Sequence, residues 1–189
     1  IVDLKAPGAT IRPILMLDGS HHFNEVKFDG VEPPAECLVG QAGDGWKQVT
    51  SELAYERSGP ERFLSTMPIV ERCLRLVLEA PAAAADAPAG RLLARLITLR
   101  NMSLAIWAAL EAGRSPAIEA AMVKDLGTDF ERDTLEIVRE AMDADERVAG
   151  DSVLAGLLAS AWPLAPTYNL RGGTNEVLRN MIAKNLQGK

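Results

Sequence analysis

The fold is decided by residues 91–144, which read RLLARLITLRNMSLAIWAALEAG (91–113) and then RSPAIEAAMVKDLGTDFERDTLEIVREAMDA (114–144). Apolar residues recur every three or four positions in both runs, the spacing that puts them on one face of an α-helix. Gly113 is a plausible helix stop, and Ser115 followed by Pro116 is typical of a helix start. We predict helices over about 91–112 and from Ser115 to about Ala144. The apolar positions include Leu92, Leu93, Leu96, Leu99, Leu104, Trp107, Ile118, Met122, Leu126, Phe130, Leu135 and Val138. Of these, Trp107 is expected to lie in the core.

Helical spacing extends to both sides of this pair. Apolar residues recur from Trp46 to Leu78, with Pro60 and Pro68 placed to bend or interrupt the helix. Residues 80–90, rich in alanine and proline, are predicted to be a low-complexity connector. Shorter helices are predicted over 152–162 and 174–186. Four or five helices with short connections predict an antiparallel four-helix-type bundle over residues 45–189.

Residues 1–44 have the pattern of β-strands. Two apolar or alternating runs, 11–17 and 22–28, are bounded by the turn dipeptides Pro7-Gly8, Asp18-Gly19 and Asp29-Gly30. So few strands do not form a stable sheet alone, so we expect them to belong to an incomplete β-domain. Because residue one is isoleucine, we also expect the chain to be a piece of a longer protein. The predicted fold class is mostly α, with a few β-strands before the bundle.

Composition and charge indicate which kinds of binding partner and which location to expect. The chain has 189 residues, a formal net charge of -6 and a pI near 5.0, which argues against nucleic acid or an anionic membrane surface as the main partner. No apolar run approaches the roughly 20 residues that cross a bilayer, so no membrane span is expected. Cys37 and Cys73 are far apart and match no C-x-x-C pattern, which favours free thiols and a cytoplasmic location. No metal site is predicted, because His21 and His22 point to opposite faces of a strand.

One carboxylate stands out in the first predicted helix. On a continuous helix from Trp46, Glu56 and Arg57 flank the apolar stripe that runs through Val49 and Leu53. Desolvation beside such a stripe would suit a general base. The alternative is a structural ion pair of Glu56 with Arg57 or with another helix, and spacing alone favours that alternative.

A glycine turn precedes the last predicted helix. Arg171-Gly172-Gly173-Thr174 leads into that helix, with Thr174 as a good N-cap and Glu176 in the first turn. Free N–H groups at such a turn suit a phosphate, and Arg171 adds positive charge, whereas Glu176 partly opposes an anion. The alternative is a tight turn followed by a capped helix, because a Gly-Gly turn is a weak motif.

Five blocks in order resemble the acyl-CoA dehydrogenases. They read FNEVKFDGV (23–31), CLVG (37–40), GDGW (43–46), LAYER (53–57) and RGGTNEVLRN (171–180). The resemblance spans essentially the whole chain and covers the end of that family's middle β-domain, residues 1–44, and its C-terminal helical bundle, residues 45–189. It implies an oxidoreductase that uses FAD to convert an acyl-CoA thioester to the 2,3-enoyl-CoA. A carboxylate takes the α-proton, and the β-hydrogen leaves as hydride to the flavin.

The resemblance also assigns site residues. Many members carry the catalytic glutamate at the position of Gly172, where this chain has none, and others carry it at the position of Glu56. Glu56 is therefore the expected base, and Arg57 is expected to orient it. Arg171, Gly172, Gly173, Thr174 and Glu176 are expected to bind FAD. The resemblance further implies an electron-transfer flavoprotein as acceptor and a homo- or hetero-oligomer, a dimer or tetramer.

Two departures from the family pattern leave alternatives open. The family usually has Arg-x-x-Phe-Gly where this chain has its Ala/Pro stretch, and Gly-Gly-x-Gly where it has Asp-Glu-Arg-Val-Ala-Gly (145–150). Both elements normally reach FAD held mainly by a neighbouring subunit. One alternative is therefore a non-catalytic partner subunit of a heteromeric dehydrogenase. Another is a flavin mono-oxygenase or nitroalkane oxidase of the same architecture. The piece alone is expected to be inactive.

Overall fold

The structure is a computed structural model that describes residues 1–79 and 83–188. Two compact units make up these residues, Ile1–Ser51 and Glu52–Lys189. The first holds the strands, and the second holds most of the helical residues. The predicted fold class, mostly α with a few strands before a helical bundle, is confirmed. The assignment of 1–44 and 45–189 to two domains of the family stays a prediction.

The first unit contains an antiparallel hairpin. Strand β1 (Ala9–Leu15) pairs with β2 (His21–Phe28) in a register that places Ile11 opposite Val26, with an irregularity between Ile14 and Leu15. Asp18-Gly19 turns the chain, and Gly19 has a φ of 79°, which favours glycine. A 3-10 helix (Ala35–Cys37) and helix α1 (Gly45–Ser51) complete the unit. The large apolar side chains of both strands are exposed on this chain, as expected for an incomplete sheet.

The second unit is a bundle built around one long helix. Its helices are α2 (Leu53–Ser58), α3 (Met67–Glu79), α4 (Ala83–Glu111), α5 (Ala117–Ala144), α6 (Glu146–Ala149), α7 (Ser152–Ala161) and α8 (Asn175–Leu186), with 3-10 helices at Pro60–Arg62 and Trp162–Leu170. Helix α4 packs against α5 after the turn at Gly113, and α2, α3, α6 and α8 also contact α5. Fully buried core side chains include Val70, Leu92, Val123, Leu135, Val138, Leu154 and Leu178.

Two predicted segments differ in the structure. The helix predicted from Trp46 is not continuous, because α1 ends at Ser51 and α2 begins at Leu53. The predicted connector is helical from Ala83 onward, since alanine has the highest helix propensity and outweighs Pro88 inside α4. Residues 80–82 of that predicted connector lie outside the described residues. The other three helices begin and end within two residues of their predicted bounds.

The prediction that Trp107 lies in the core is wrong, and other apolar positions of the two long helices are also exposed. Leu104 and Trp107 of α4 are 51% and 50% exposed, and Met122 and Leu126 of α5 are 39% and 43% exposed. Periodicity marks an apolar face but does not say whether this chain or another one covers it. By length and composition, Ala84–Glu111 is also apolar enough to cross a membrane. One such helix is weak support for a span, because core helices of soluble proteins pass the same test, and the expected absence of a span stays a prediction.

Candidate active site

Glu56 lies on α2 and is bound by an arginine that the sequence did not single out. Its carboxylate Oε1 accepts a hydrogen bond from Arg62 Nη2 at 2.6 Å, and its main-chain carbonyl accepts one from Arg62 Nε at 2.9 Å. The Glu56 side chain is 42% exposed, whereas that of Arg62 is 8% exposed. The ion pair expected under the structural alternative is therefore present, with Arg62 rather than Arg57. The Glu56 side chain nevertheless remains partly exposed, so a ligand can approach it.

Arg57 points into the protein beside Glu56. Its Nε donates to the carbonyl oxygen of Gly172 at 2.8 Å, and its Nη1 lies 4.0 Å from the sulfur of Met181. Burial lowers the pKa of the Arg57 guanidinium, and the charge of Glu56 opposes that effect. Arg57 therefore joins α2 to the glycine turn, 115 residues away along the chain.

The glycine turn brings its own backbone next to the Glu56 carboxylate. Gly172 and Gly173 have φ values of +64° and +100°, which L side chains rarely adopt. A Cβ atom at Gly172 would lie 3.6 Å from Glu56 Oε1 and 3.4 Å from Arg57 Cγ. The two chain positions at which a glutamate was expected by resemblance are thus neighbours in space. The structure brings together Glu56, Arg57, Gly172 and Gly173.

Thr174 and Glu176 form the start of α8. The Thr174 hydroxyl accepts a hydrogen bond from the Val177 N–H at 3.5 Å, as predicted for an N-cap. Glu176 is exposed in the first turn. Hydrogen bonds from its own N–H and from the Thr174 hydroxyl lower the pKa of Glu176, so the carboxylate is ionised at neutral pH. An anion at this helix end would meet that negative charge.

Arg171, which was expected to add positive charge for a phosphate, is bound to residues of its own chain. Its Nη2 bonds the carboxylate of Glu131, which is fully buried on α5, and its Nη1 donates to the Ser65 hydroxyl at 2.8 Å. The guanidinium also lies over the ring of Tyr168, 5.0 Å from its centroid. Glu131 accepts a second hydrogen bond from the Ser65 N–H at 2.8 Å. Arg171 thus anchors the glycine turn to α5.

A buried lysine bonds residues on both sides of the same glycine turn. Lys124 of α5 is completely buried, and its Nζ donates to the Asn169 carbonyl oxygen at 3.0 Å and to Asn175 Oδ1 at 2.7 Å. Burial, together with the nearby charge of Arg62, lowers the pKa of Lys124 to about 8. Asp125 opposes this effect.

Three residues that organise the site were missed in the sequence, namely Arg62, Lys124 and Glu131. Lys124, Thr128 and Glu131 recur at helical spacing, and this polar stripe on α5 is the signal that could have identified a buried polar face. Arg62 carried no such signal, because it lies in a short 3-10 helix between two longer elements.

A family model and a curated relative both point to the same protein family. Residues 43–187 match the family model described as "Acyl-CoA dehydrogenase, C-terminal domain". Acyl-CoA dehydrogenase IpdE1 of Mycolicibacterium smegmatis is 31% identical over 198 residues, which cover 100% of this chain and 48% of that protein.

Two solved structures align over the full chain. A variant of the "Tcur3481-Tcur3483 steroid ACAD" matches with a TM-score of 0.81 and 25% identity, covering 100% of this chain and 51% of that one. The "ChsE4-ChsE5 complex from Mycobacterium tuberculosis" matches with a TM-score of 0.74, 25% identity and the same coverage. The chain spans about half the length of these relatives.

Proposed function

Because the chain belongs to the acyl-CoA dehydrogenase family, a family of oxidoreductases, we propose that it supplies the catalytic base of such an enzyme. The substrate is an acyl-CoA thioester, and the product is its 2,3-enoyl-CoA. The observation that carries the proposal is the Glu56 carboxylate, partly exposed beside Gly172, where the two expected positions of the base meet.

Glu56 removes the α-proton of the thioester. Its carboxylate is held at a fixed place by Arg62, and Arg57 holds the adjoining glycine turn through the Gly172 carbonyl. A base held in this way can accept a proton without first reorganising, which is the main advantage of a preformed site. Arg57 therefore acts as a positioning residue rather than as a group that touches the substrate.

The residues around the glycine turn fit part of an FAD site. Gly173 is exposed, and Thr174 begins the 12-residue helix α8, where the ionised Glu176 favours contact with the uncharged part of a nucleotide over contact with its phosphates. We assign Gly172, Gly173, Thr174 and Glu176 to contacts with FAD, whose flavin when bound accepts the β-hydrogen as hydride. Arg171 is committed to Glu131, so it supports this turn instead of binding a phosphate directly.

The assembly is proposed from the relatives. Two solved relatives are named as pairs of proteins, Tcur3481-Tcur3483 and ChsE4-ChsE5, and this chain spans about half of the aligned chains. We infer that the whole protein works as a subunit of a homo- or hetero-oligomer with an electron-transfer flavoprotein as acceptor. The name "steroid ACAD" of one relative supports a bulky, steroid-type acyl group as the substrate to test first.

The proposal is tested by Glu56→Gln in the full-length protein with any partner subunit that it requires. We expect turnover to fall by about 10²- to 10⁴-fold, because the general base is removed while the shape is kept. Glu52→Gln, at an exposed position one turn earlier, is the matched control and should keep turnover. Wild-type turnover of Glu56→Gln would refute the assignment of the base.

A second candidate function is a non-catalytic partner subunit. It is favoured by the stretch after α5, where the family pattern has a glycine loop and this chain forms the short helix α6, capped by the nearly buried Asp145. A visible absorption spectrum of the purified full-length protein, taken without oxygen before and after addition of acyl-CoA, separates the two. A flavin band that bleaches supports the enzyme, and a colourless protein that gains a flavin only with its partner supports the subunit.

A further inference from the structure

The guanidinium of Arg62 holds Glu56 at two points. Nε donates to the Glu56 carbonyl oxygen at 2.9 Å, and Nη2 donates to Oε1 at 2.6 Å. One planar group therefore fixes both the backbone from which the side chain starts and the carboxylate at which it ends. Arginine suits this task because its donors lie in a rigid fork, whereas lysine presents a single ammonium.

The arrangement leaves one carboxylate oxygen free. Within residues 1–79 and 83–188, Oε1 of Glu56 carries the hydrogen bond from Arg62, and Oε2 accepts none. The Glu56 side chain is 42% exposed, which leaves room for a ligand to approach the carboxylate. The two oxygens therefore differ in their hydrogen bonding, and only Oε1 is held by Arg62.

Arg62 is itself placed by helix α5. At Gly127, a Cβ atom would lie only 2.5 Å from the Arg62 carbonyl oxygen and 3.3 Å from Phe63 Cβ. A glycine inside a helix lowers helix stability relative to alanine, so its presence is explained by this close approach. The position of Arg62 is thus set by the packing of the Pro60–Arg62 helix on α5 and not by its ion pair alone.

Charged side chains of both signs lie near the Arg62 guanidinium. Glu61 Oε1 lies 3.9 Å from its Nε, and the buried Lys124 of α5 is close enough for Arg62 to lower the pKa of that lysine. The negative charge of a carboxylate partner offsets the repulsion between Arg62 and Lys124. Glu56 is that partner, at the shortest distance.

We propose that Arg62 is a positioning residue for Glu56 during removal of the α-proton, an inference that rests on the proposed function. In this step the C–H bond at the α-carbon breaks and the proton moves to Oε2. The electron pair stays on the α-carbon and is delocalised into the thioester carbonyl. Arg62 remains protonated and touches no reacting atom.

The test is Arg62→Lys in the full-length protein with any partner subunit it requires. We expect kcat to fall by about 10²-fold, because a displaced base loses its alignment with the α-hydrogen. KM should stay near the wild-type value, since no contact with the bound thioester is removed. Arg75→Lys is the matched control, because Arg75 forms an exposed pair with Glu71 at 2.8 Å, and it should change neither constant.

A second measurement reports on removal of the α-proton separately from the rest of the reaction. Exchange of the α-hydrogen of an acyl-CoA for solvent deuterium is measured by mass spectrometry and expressed per folded molecule, with the folded fraction taken from circular dichroism. Arg62→Lys should slow this exchange about as much as it lowers kcat. Gly127→Ala, which keeps every charge but crowds the Arg62 carbonyl, should slow it as well.

The outcomes are distinct. Exchange at the wild-type rate per folded molecule in Arg62→Lys would overturn the positioning role, and so would wild-type exchange in Gly127→Ala if Arg62→Lys did not fold. Wild-type exchange in Glu56→Gln would instead refute the assigned base, and hence the proposed function, whatever the Arg62 variants show.

Discussion

At the scale of single residues, Glu56 and Gly172 are neighbours that Arg57 links, because Arg57 follows Glu56 in α2 and bonds the Gly172 carbonyl. A methyl group at Gly172 would contact both the Glu56 carboxylate and Arg57 Cγ. The positive φ of Gly172 also lets its carbonyl meet Arg57 Nε at 2.8 Å. A side chain at this position therefore affects both the backbone of the turn and the surroundings of the proposed base.

Gly172→Ala should lower both stability and turnover. An L-residue held at positive φ costs about 1–2 kcal/mol, and relief of that strain would shift the Gly172 carbonyl that Arg57 bonds beside Glu56. Chemical denaturation measures the first effect, and kcat measures the second. Gly156→Ala on α7 is the control, because nothing lies within 4 Å of its Cβ position and alanine favours the helix. Equal stability of the Gly172→Ala and wild-type proteins would contradict the strain argument.

Lys124 makes stability depend on pH above neutrality. Its pKa is about 8 in the folded protein and near 10.5 when unfolded, so the unfolded chain binds more protons between these values. The free energy of unfolding should therefore gain a rising contribution between about pH 8 and 10.5, with a slope of up to about 1.4 kcal/mol per pH unit.

The measurement compares wild type with Lys124→Met over that pH interval. Lys124→Met should lack the rising contribution, whereas Lys184→Met, at an exposed position, should keep it. The same pH dependence in Lys124→Met as in wild type would show that Lys124 is not the group responsible.

At the scale of elements, α5 is the scaffold on which the site is assembled. Gly127 contacts the Pro60–Arg62 segment, and the Thr128 hydroxyl donates a hydrogen bond to the Lys124 carbonyl oxygen. The Glu131 carboxylate accepts hydrogen bonds from the Ser65 N–H and from Arg171. These residues lie at helical spacing and are buried. One face of a single helix thus fixes two segments that are more than a hundred residues apart along the chain.

Glu131→Ala should be strongly destabilising. Removing a fully buried carboxylate leaves Arg171 without its ion pair and the Ser65 N–H without its acceptor, a loss of about 3–5 kcal/mol for a broken buried pair. Glu136→Ala on the same helix, whose exposed pair with Arg139 spans 3.1 Å, should cost at most about 1 kcal/mol. Denaturant unfolding of both variants measures the difference, and equal losses would contradict the anchoring role of Glu131.

At the scale of the whole molecule, α4 carries an apolar stripe that residues 1–79 and 83–188 leave exposed. Leu93, Ile97, Leu104 and Trp107 are 45–51% exposed and fall within about 80° of one another around the helix. A continuous apolar face of this kind is typical of an interface between subunits. The stripe supports the proposed oligomer.

Leu93→Glu combined with Leu104→Glu should weaken the assembly of the full-length protein, because a charge buried in an apolar interface is costly. Molar mass measured by light scattering after size-exclusion chromatography should fall. Thr98→Glu adds a charge on another side of α4 and should leave the mass unchanged. An unchanged mass in the double variant would place the interface elsewhere.

The helical class, the presence of two strands and the bounds of three helices could be predicted from the sequence, because periodicity, caps and glycine turns are local properties. The sequence also singled out Glu56 and the Gly172-Gly173 turn as candidate site residues. Neither the helix break at Glu52 nor the start of α4 at Ala83 could be predicted. Regular apolar spacing predicted a continuous helix through Glu52, and the prolines of residues 80–90 predicted a connector in spite of the high helix propensity of alanine.

The residues that surround Glu56 could not be predicted, because they come from distant parts of the chain. The contacts of Arg62 with Glu56, of Arg57 with Gly172 and of Arg171 with Glu131 join segments that no periodic pattern connects. Tertiary packing also turned Arg171 inward and left Leu104 and Trp107 outside. Burial and ion pairing depend on the residues that pack against a side chain. Those neighbours come from distant parts of the chain, so local sequence patterns do not identify them.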